Sequence, residues 1–140
     1  MSQNVAPPPI VIEPFTEPFW EGTRQRQLRI LRCQACGTYI HLPRPVCRNC
    51  QGFDLAFEQV SGRATLYSFT ETHKAFHPYF VDRVPYLLAT VALIEQPQLH
   101  FLSNLVGVSE SDARIGMALE VDFEMLSDEI TIPVFRPVSK

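Results

Sequence analysis

The pattern of apolar and polar residues from Phe57 onward predicts a series of short β-strands. The clearest segment is 118–126, where Leu119, Val121 and Phe123 are separated by acidic residues. The other candidate strands are residues 60–72, 85–95, 99–108 and 130–137. Five short strands in under 85 residues predict a small barrel, and we favour a five-stranded OB-fold over a two-sheet sandwich.

The N-terminal part follows a different pattern. Five of the twelve prolines lie within the first 18 residues, so residues 1–14 are expected to form an extended or disordered arm. Residues 16–28 predict a short helix with Thr16 as N-cap and with Glu17 and Pro18 in its first turn. The stretch LRILRC, residues 28–33, then predicts a short strand. The fold class is therefore mainly β, with one short N-terminal helix.

The connection between the first two barrel strands, residues 73–85, is long for a compact domain. Loops of this length are usually functional or mobile, and in OB-folds this loop helps to bind ligands. It contains four candidate contact residues, His73, Lys74, Phe76 and Tyr79. For His73 and the nearby His77 we favour ordinary surface roles over ligand binding.

All four cysteines lie in two C-x-x-C pairs separated by ten residues: Cys33, Cys36, Cys47 and Cys50. This spacing predicts one tetrahedral zinc ion bound by four thiolates. Disulfides would need an oxidising compartment, and a redox C-x-x-C normally follows a βαβ context that is missing here. A complete set of four thiolates leaves no position for a catalytic water, so the zinc is expected to stabilise the fold.

Composition and charge narrow the possible partners. Apolar residues make up 46% and charged residues 19% of the 140 residues, which is enough for a packed core. The net charge is −3, but residues 22–53 contain six arginines and no acid, whereas residues 54–140 contain six bases and twelve acids. The basic segment predicts an anionic partner, or else docking on the acidic half of the same chain.

Other functional signals are weak. No targeting signal or long apolar run is present, so we expect a cytoplasmic protein without membrane contact. The four histidines are scattered, and the sequence has no nucleophile elbow, phosphate-binding loop or dinucleotide fingerprint. We therefore predict no catalytic residue.

Several stretches together resemble the DUF35 family, namely PFWEG (18–22), LRCQACGTYIHLPRPVCRNC (31–50), VSGRATLYSFT (60–70), PYLLATVALIE (85–95), SNLVGV (103–108), RIGMALEVDFE (114–124) and PVFRP (133–137). The resemblance extends from about Pro14 to Pro137. It implies a helical N-terminus (1–27), a rubredoxin-like zinc ribbon (28–56) and a C-terminal OB-fold (57–140), with the four cysteines as zinc ligands. The second knuckle departs from the family pattern, because Arg48 and Gln51 replace a proline and a glycine.

The resemblance also implies a function. Members of the family that the chain resembles are small, non-catalytic subunits of thiolase-like enzymes. These enzymes make or break carbon–carbon bonds in acyl-CoA thioesters, and some act in aromatic or steroid side-chain degradation. On this basis Phe19 and Trp20 are candidate partner contacts, with local packing as the alternative. Arg44 and Arg48 are candidate contacts for acyl-CoA phosphates or for an acidic partner surface. The alternative function is a module that binds single-stranded nucleic acid, against which the acidic barrel half argues.

Overall fold

The computed structural model describes residues 5–138, and its larger part is a closed five-stranded barrel. The strands are β4 (Arg63–Thr72), β5 (Tyr86–Leu93), β6 (His100–Leu105), β7 (Ala118–Met125) and β8 (Thr131–Pro137). Their order around the barrel is β4-β5-β6-β8-β7, and β7 pairs with β4 to close it. All pairs are antiparallel except β6 with β8. This is an OB-fold topology, so the predicted barrel is confirmed and the sandwich alternative is wrong.

The zinc-ribbon region forms a separate three-stranded sheet with the order β2-β1-β3. Its strands are β1 (Arg29–Cys33), β2 (Tyr39–Ile40) and β3 (Leu55–Gln59). β3 pairs with β1 from Arg29–Gln59 to Cys33–Leu55. The expected boundary between residues 56 and 57 therefore falls inside a strand of this sheet, and the barrel strands begin at Arg63.

Both faces of β1 are buried, and they face different clusters. Ile30 joins Leu28 and Tyr39 in the main core, together with barrel residues such as Leu66 and Phe135. On the opposite face, Leu31 and Cys33 pack with Ile40 and Cys47 in a small second cluster. Because successive side chains of a strand point to opposite faces, one short strand connects the barrel core to the cysteine cluster.

Polar contacts also fix the ribbon sheet on the barrel. The Gln96 side chain, in the β5–β6 turn, accepts a hydrogen bond from the Tyr39 backbone N–H (2.9 Å) and donates one to the Tyr39 carbonyl (3.0 Å). The Gln96 amide therefore forms the pair of hydrogen bonds that a neighbouring strand would form at the edge of β2. Arg26 forms an ion pair with Asp122 of β7 at 2.6 Å, and Arg136 of β8 reaches the same carboxylate at 2.9 Å.

The N-terminal part contains the predicted short helix, α1 (Glu17–Arg24), after a single 3-10 turn at Pro14–Thr16. Thr16 occupies the N-cap position, but its hydroxyl donates to the Glu13 carbonyl at 3.2 Å instead of capping the helix. Residues 5–13 have no regular secondary structure, and residues 1–4 of the predicted arm lie outside the described range. Within that range, no helix has the length and apolar character needed to cross a membrane.

Candidate functional site

The four cysteine sulfurs lie within 4.8 Å of one another. The Sγ atoms of Cys33 and Cys50 are 3.6 Å apart, and those of Cys36 and Cys47 are also 3.6 Å apart. Sulfurs at about 2.3 Å from a tetrahedral zinc would be about 3.8 Å from one another, whereas a disulfide requires about 2.05 Å. The arrangement therefore fits one tetrahedral metal ion bound by the four predicted residues.

The two knuckles have closely matching backbone hydrogen bonds. The N–H of Gly37 donates to the Cys33 carbonyl, and the N–H of Gln51 donates to the Cys47 carbonyl, both at 2.9 Å. Gly37 has φ +81°, and Gln51 has φ +62° at the equivalent position. A side chain is unfavourable in this left-handed conformation, so the departure from glycine at residue 51 introduces backbone strain.

Electrostatics around the sulfurs favour a cation. The Thr38 hydroxyl, the Thr38 backbone and the Asn49 side chain lower the pKa of Cys36 to about 5. For Cys50, the Gly52 backbone N–H lowers the pKa, but the neighbouring thiols and burial outweigh it and raise the pKa to about 12. The Cys36 thiol therefore ionises readily, whereas the Cys50 thiol resists ionisation, because a second negative charge at this distance is unfavourable. A bound cation would stabilise all four thiolates together.

Four of the six arginines of the basic segment fall into two groups. Arg26 and Arg32 pair with Asp122 and Glu58, so part of the segment docks on acids of the same chain, as one alternative predicted. Arg44 and Arg48 lie on the exposed surface between β2 and β3, and neither forms an ion pair within residues 5–138. These two cations are therefore available to an external anion.

Phe19 and Trp20 lie on α1 and contact each other edge to face, with ring centroids 5.0 Å apart. Phe19 packs against the main core and stacks on Phe101 of β6 at 6.3 Å. Trp20 is half-buried. Phe19 is therefore packed within the chain. The exposed part of Trp20 leaves room for a contact with another molecule.

The four candidates in the β4–β5 loop do not form one cluster. His73 is exposed and its Nε2 atom lies 3.0 Å from Glu71 Oε1. The Lys74 ammonium lies 5.1 Å from the centre of the Phe76 ring, which is 81% exposed. Tyr79 points instead to the end of the barrel, where it lines a cavity. No ion pair or ring contact of the described residues joins this loop to Arg44 or Arg48.

Sequence reasoning missed two features. The proline-rich arm lies against the end of the barrel, where Pro7, Pro8 and Ile10 line the same cavity as Tyr79. His41, one of the four scattered histidines, stacks on Phe101 at 4.5 Å, and burial lowers its pKa to about 4. Neither feature has a periodic sequence signal, because both depend on contacts between segments far apart in the chain.

Two family models match the chain in tandem. The first, described as the rubredoxin-like zinc ribbon domain of ChsH2, matches residues 20–56. The second, described as the C-terminal OB-fold domain of ChsH2, matches residues 57–124. The cysteine cluster therefore lies in a segment that has the sequence features of a zinc ribbon.

Similar proteins include larger subunits of named complexes. A "probable enoyl-CoA hydratase alpha subunit" of Thermomonospora curvata is 40% identical over 120 residues, which cover 85% of this chain and 36% of that protein. A "3-oxo-4,17-pregnadiene-20-carboxyl-CoA hydratase alpha subunit" of Mycobacterium tuberculosis is 30% identical over 105 residues, covering 75% of this chain and 32% of that protein. The chain thus spans about a third of the length of these curated relatives.

Solved structures resemble almost the whole chain. A chain of an "Ltp2-ChsH2(DUF35) aldolase" superposes with a TM-score of 0.82 and 36% identity, covering 92% of this chain and 98% of that one. A DUF35 protein of unknown function from Sulfolobus solfataricus superposes with a TM-score of 0.60 at 15% identity, covering 89% and 86% of the two chains, and shows the shared fold alone. The ribbon, the barrel and the 36% identity together place this chain in the ChsH2/DUF35 family.

Proposed function

We propose that this protein is a non-catalytic accessory subunit of a thiolase-like enzyme that transforms acyl-CoA thioesters, either a thiolase or a retro-aldolase. It would contribute to assembly of the complex and to binding of the acyl-CoA. The observation that supports this most strongly is the likeness to a chain of the Ltp2-ChsH2(DUF35) aldolase over 98% of that chain. The names of both curated relatives refer to CoA thioesters, which supports the substrate class. Degradation of aromatic compounds or steroid side chains is the proposed context.

The cysteine geometry supports a structural role for one zinc ion. Cys33, Cys36, Cys47 and Cys50 would hold it, and a four-thiolate site supplies folding free energy, with no open position for a substrate. The buried cysteines, Cys33 and Cys47, belong to the second cluster with Leu31 and Ile40. The ion would therefore fix the surface between β2 and β3 relative to the barrel.

The histidines support a non-catalytic role. His73 contacts Glu71, and the His77 ring accepts a hydrogen bond from the Tyr79 backbone at 3.1 Å. His100 stacks on Tyr67 at 4.1 Å, and His41 on Phe101. Within residues 5–138, no histidine forms a hydrogen bond with a serine or cysteine side chain, which is the arrangement that nucleophilic catalysis uses.

The surface between β2 and β3 has the composition of an interface. Leu42 and Phe53 are 69% and 78% exposed, and Arg44 and Arg48 lie in the same segment. Aromatic residues and arginine are enriched at the energetically important positions of interfaces. Arginine also binds phosphate groups through two parallel hydrogen bonds, so the same surface suits the phosphates of CoA.

Co-expression with a thiolase-like enzyme from the same genome tests this proposal. The two chains should co-purify and elute together in size-exclusion chromatography. Arg48→Glu should weaken the complex or the binding of CoA by about tenfold or more, since charge reversal turns an attraction into a repulsion. Arg63→Glu is the matched control, because Arg63 is an exposed arginine on β4 of the barrel.

Failure to bind that enzyme or to change its activity would contradict the proposal. Binding of single-stranded DNA that weakens steeply with salt would instead favour the alternative, a nucleic-acid-binding module.

A further inference from the structure

A cavity of about 440 Å³ opens at one end of the barrel. It lies where the β4–β5 loop and the β7–β8 turn meet, and six of its lining residues are Tyr79, Phe80, Leu87, Leu105, Leu126 and Ile132. Pockets for small molecules usually measure about 300–1,000 Å³ and are mostly apolar, with a few polar groups. The volume and the apolar lining of this cavity are those of a small-molecule site.

One wall of the cavity is the N-terminal arm, through Pro7, Pro8 and Ile10. A second, smaller cavity of about 200 Å³ lies between the arm and Leu126, Ser127 and Ile130. Residues 5–12 form no hydrogen bond with any other described residue. The arm is therefore held against the barrel by apolar contacts and forms one wall of each cavity.

The cavity has two charged side chains at its edge, Arg83 and Glu124, which are 47% and 43% exposed. The Arg83 guanidinium stacks on the Tyr79 ring at 4.1 Å, and its Nη1 atom is 3.6 Å from Glu124 Oε1, too far for a hydrogen bond. The Arg83 side chain donates no hydrogen bond to a described residue. The Asn104 amide donates to the Leu87 carbonyl at 3.2 Å. Arg83 is thus held in place by stacking while its N–H groups remain available.

The charges of Arg83 and Glu124 determine which class of ligand the cavity can bind. Arg83 offers donors to an acceptor atom, but Glu124 beside it cancels the local positive charge and would repel a carboxylate. The remaining lining is apolar and favours a hydrocarbon or ring system. We propose that the barrel-end cavity binds a neutral, mainly apolar molecule with a carbonyl or hydroxyl group, whose oxygen accepts from Arg83 and whose body packs on Leu87, Leu105 and Leu126. This site is independent of the proposed accessory role.

Binding of Prodan, a neutral naphthyl ketone that emits at shorter wavelength in apolar surroundings, tests the proposal on the full chain. We expect saturable binding of one Prodan per chain with a blue shift. Leu126→Trp fills the cavity and should weaken binding by about tenfold or more. Met125→Trp adds the same ring at the neighbouring position, which is 72% exposed, and should change the affinity by less than about twofold.

Competition between two related compounds tests the charge argument. Neutral acetonaphthone should displace Prodan at lower concentration than anionic naphthoate, and Glu124→Gln should reduce that difference because it removes the repelling carboxylate. Arg83→Met should weaken Prodan binding by about threefold or more, through the loss of one hydrogen bond. Equal Prodan binding by the Leu126→Trp and Met125→Trp variants, or tighter binding of naphthoate than of acetonaphthone, would overturn the proposal.

Discussion

Removing the metal ion with a chelator at neutral pH should unfold the ribbon around the cysteines and leave the barrel folded. The second cluster buries only two aliphatic side chains, Leu31 and Ile40, which stabilise it by about 3–6 kcal/mol. A structural zinc ion supplies about 10–16 kcal/mol, so the metal is the larger contribution. The barrel has a hydrophobic core of its own, because thirteen of the sixteen residues in the main core lie at or after Val60.

Hydrogen–deuterium exchange with mass spectrometry measures this prediction peptide by peptide. After chelation, amides of residues 34–53 should exchange faster by about a hundredfold or more, which corresponds to a loss of about 3 kcal/mol of protection. Peptides from β5 and β6 serve as the internal control and should change by less than about tenfold. Addition of zinc should restore the protection.

Either of two results would rule out a separately folded ribbon that depends on its metal. If the barrel strands lose protection together with residues 34–53, the ribbon and barrel form one cooperative unit and the metal stabilises both. If neither region changes, the thiol cluster does not depend on a metal for its fold.

Two further substitutions test local features. Asp122→Asn should destabilise the chain by about 1 kcal/mol at pH 7, because the Phe123 N–H, Arg26 and Arg136 all favour the ionised form and hold the pKa of Asp122 below its usual value. A carboxylate with a lowered pKa contributes fully above the unfolded value of about 3.9, and the contribution disappears as the pH falls through the folded value. The difference between wild type and variant in urea denaturation should therefore vanish at low pH, and a difference independent of pH would contradict this assignment. Gln51→Gly should tighten zinc binding by about twofold to fivefold in competition with a chelator, because glycine adopts φ +62° without strain, and weaker binding would show that this strain is absent.

The barrel and the metal site could be predicted because each has a sequence pattern that follows directly from its physics. Leu119, Val121 and Phe123 alternate with acidic residues, and in β7 Leu119 is buried in the main core while Val121 and Phe123 pack against it partly buried. The spacing of the cysteines reflects the geometry of two knuckles around one ion. In both cases the residues that act together are close in the sequence.

The remaining features depend on contacts between distant segments. Arg26 and Asp122 are 96 residues apart in the sequence, and Gln96 and Tyr39 are 57 residues apart. No local sequence pattern therefore predicts either contact. The proline-rich arm had a predictable local conformation, but its position against the barrel depends on apolar contacts without periodicity. The pairing of β3 with β1, which carries the ribbon sheet past residue 56, also depends on long-range register.

Turnover of an acyl-CoA thioester by the separate and combined subunits is the measurement that decides whether this chain is an accessory subunit. A thiolase-like enzyme that co-purifies with this chain, this chain, and the mixture of the two should be assayed at equal concentrations with a panel of acyl-CoA thioesters. We expect no turnover by this chain alone and at least about a tenfold gain when it is added to the enzyme. Turnover by this chain alone, or activity of the enzyme that is unchanged by its addition, would rule out the accessory role.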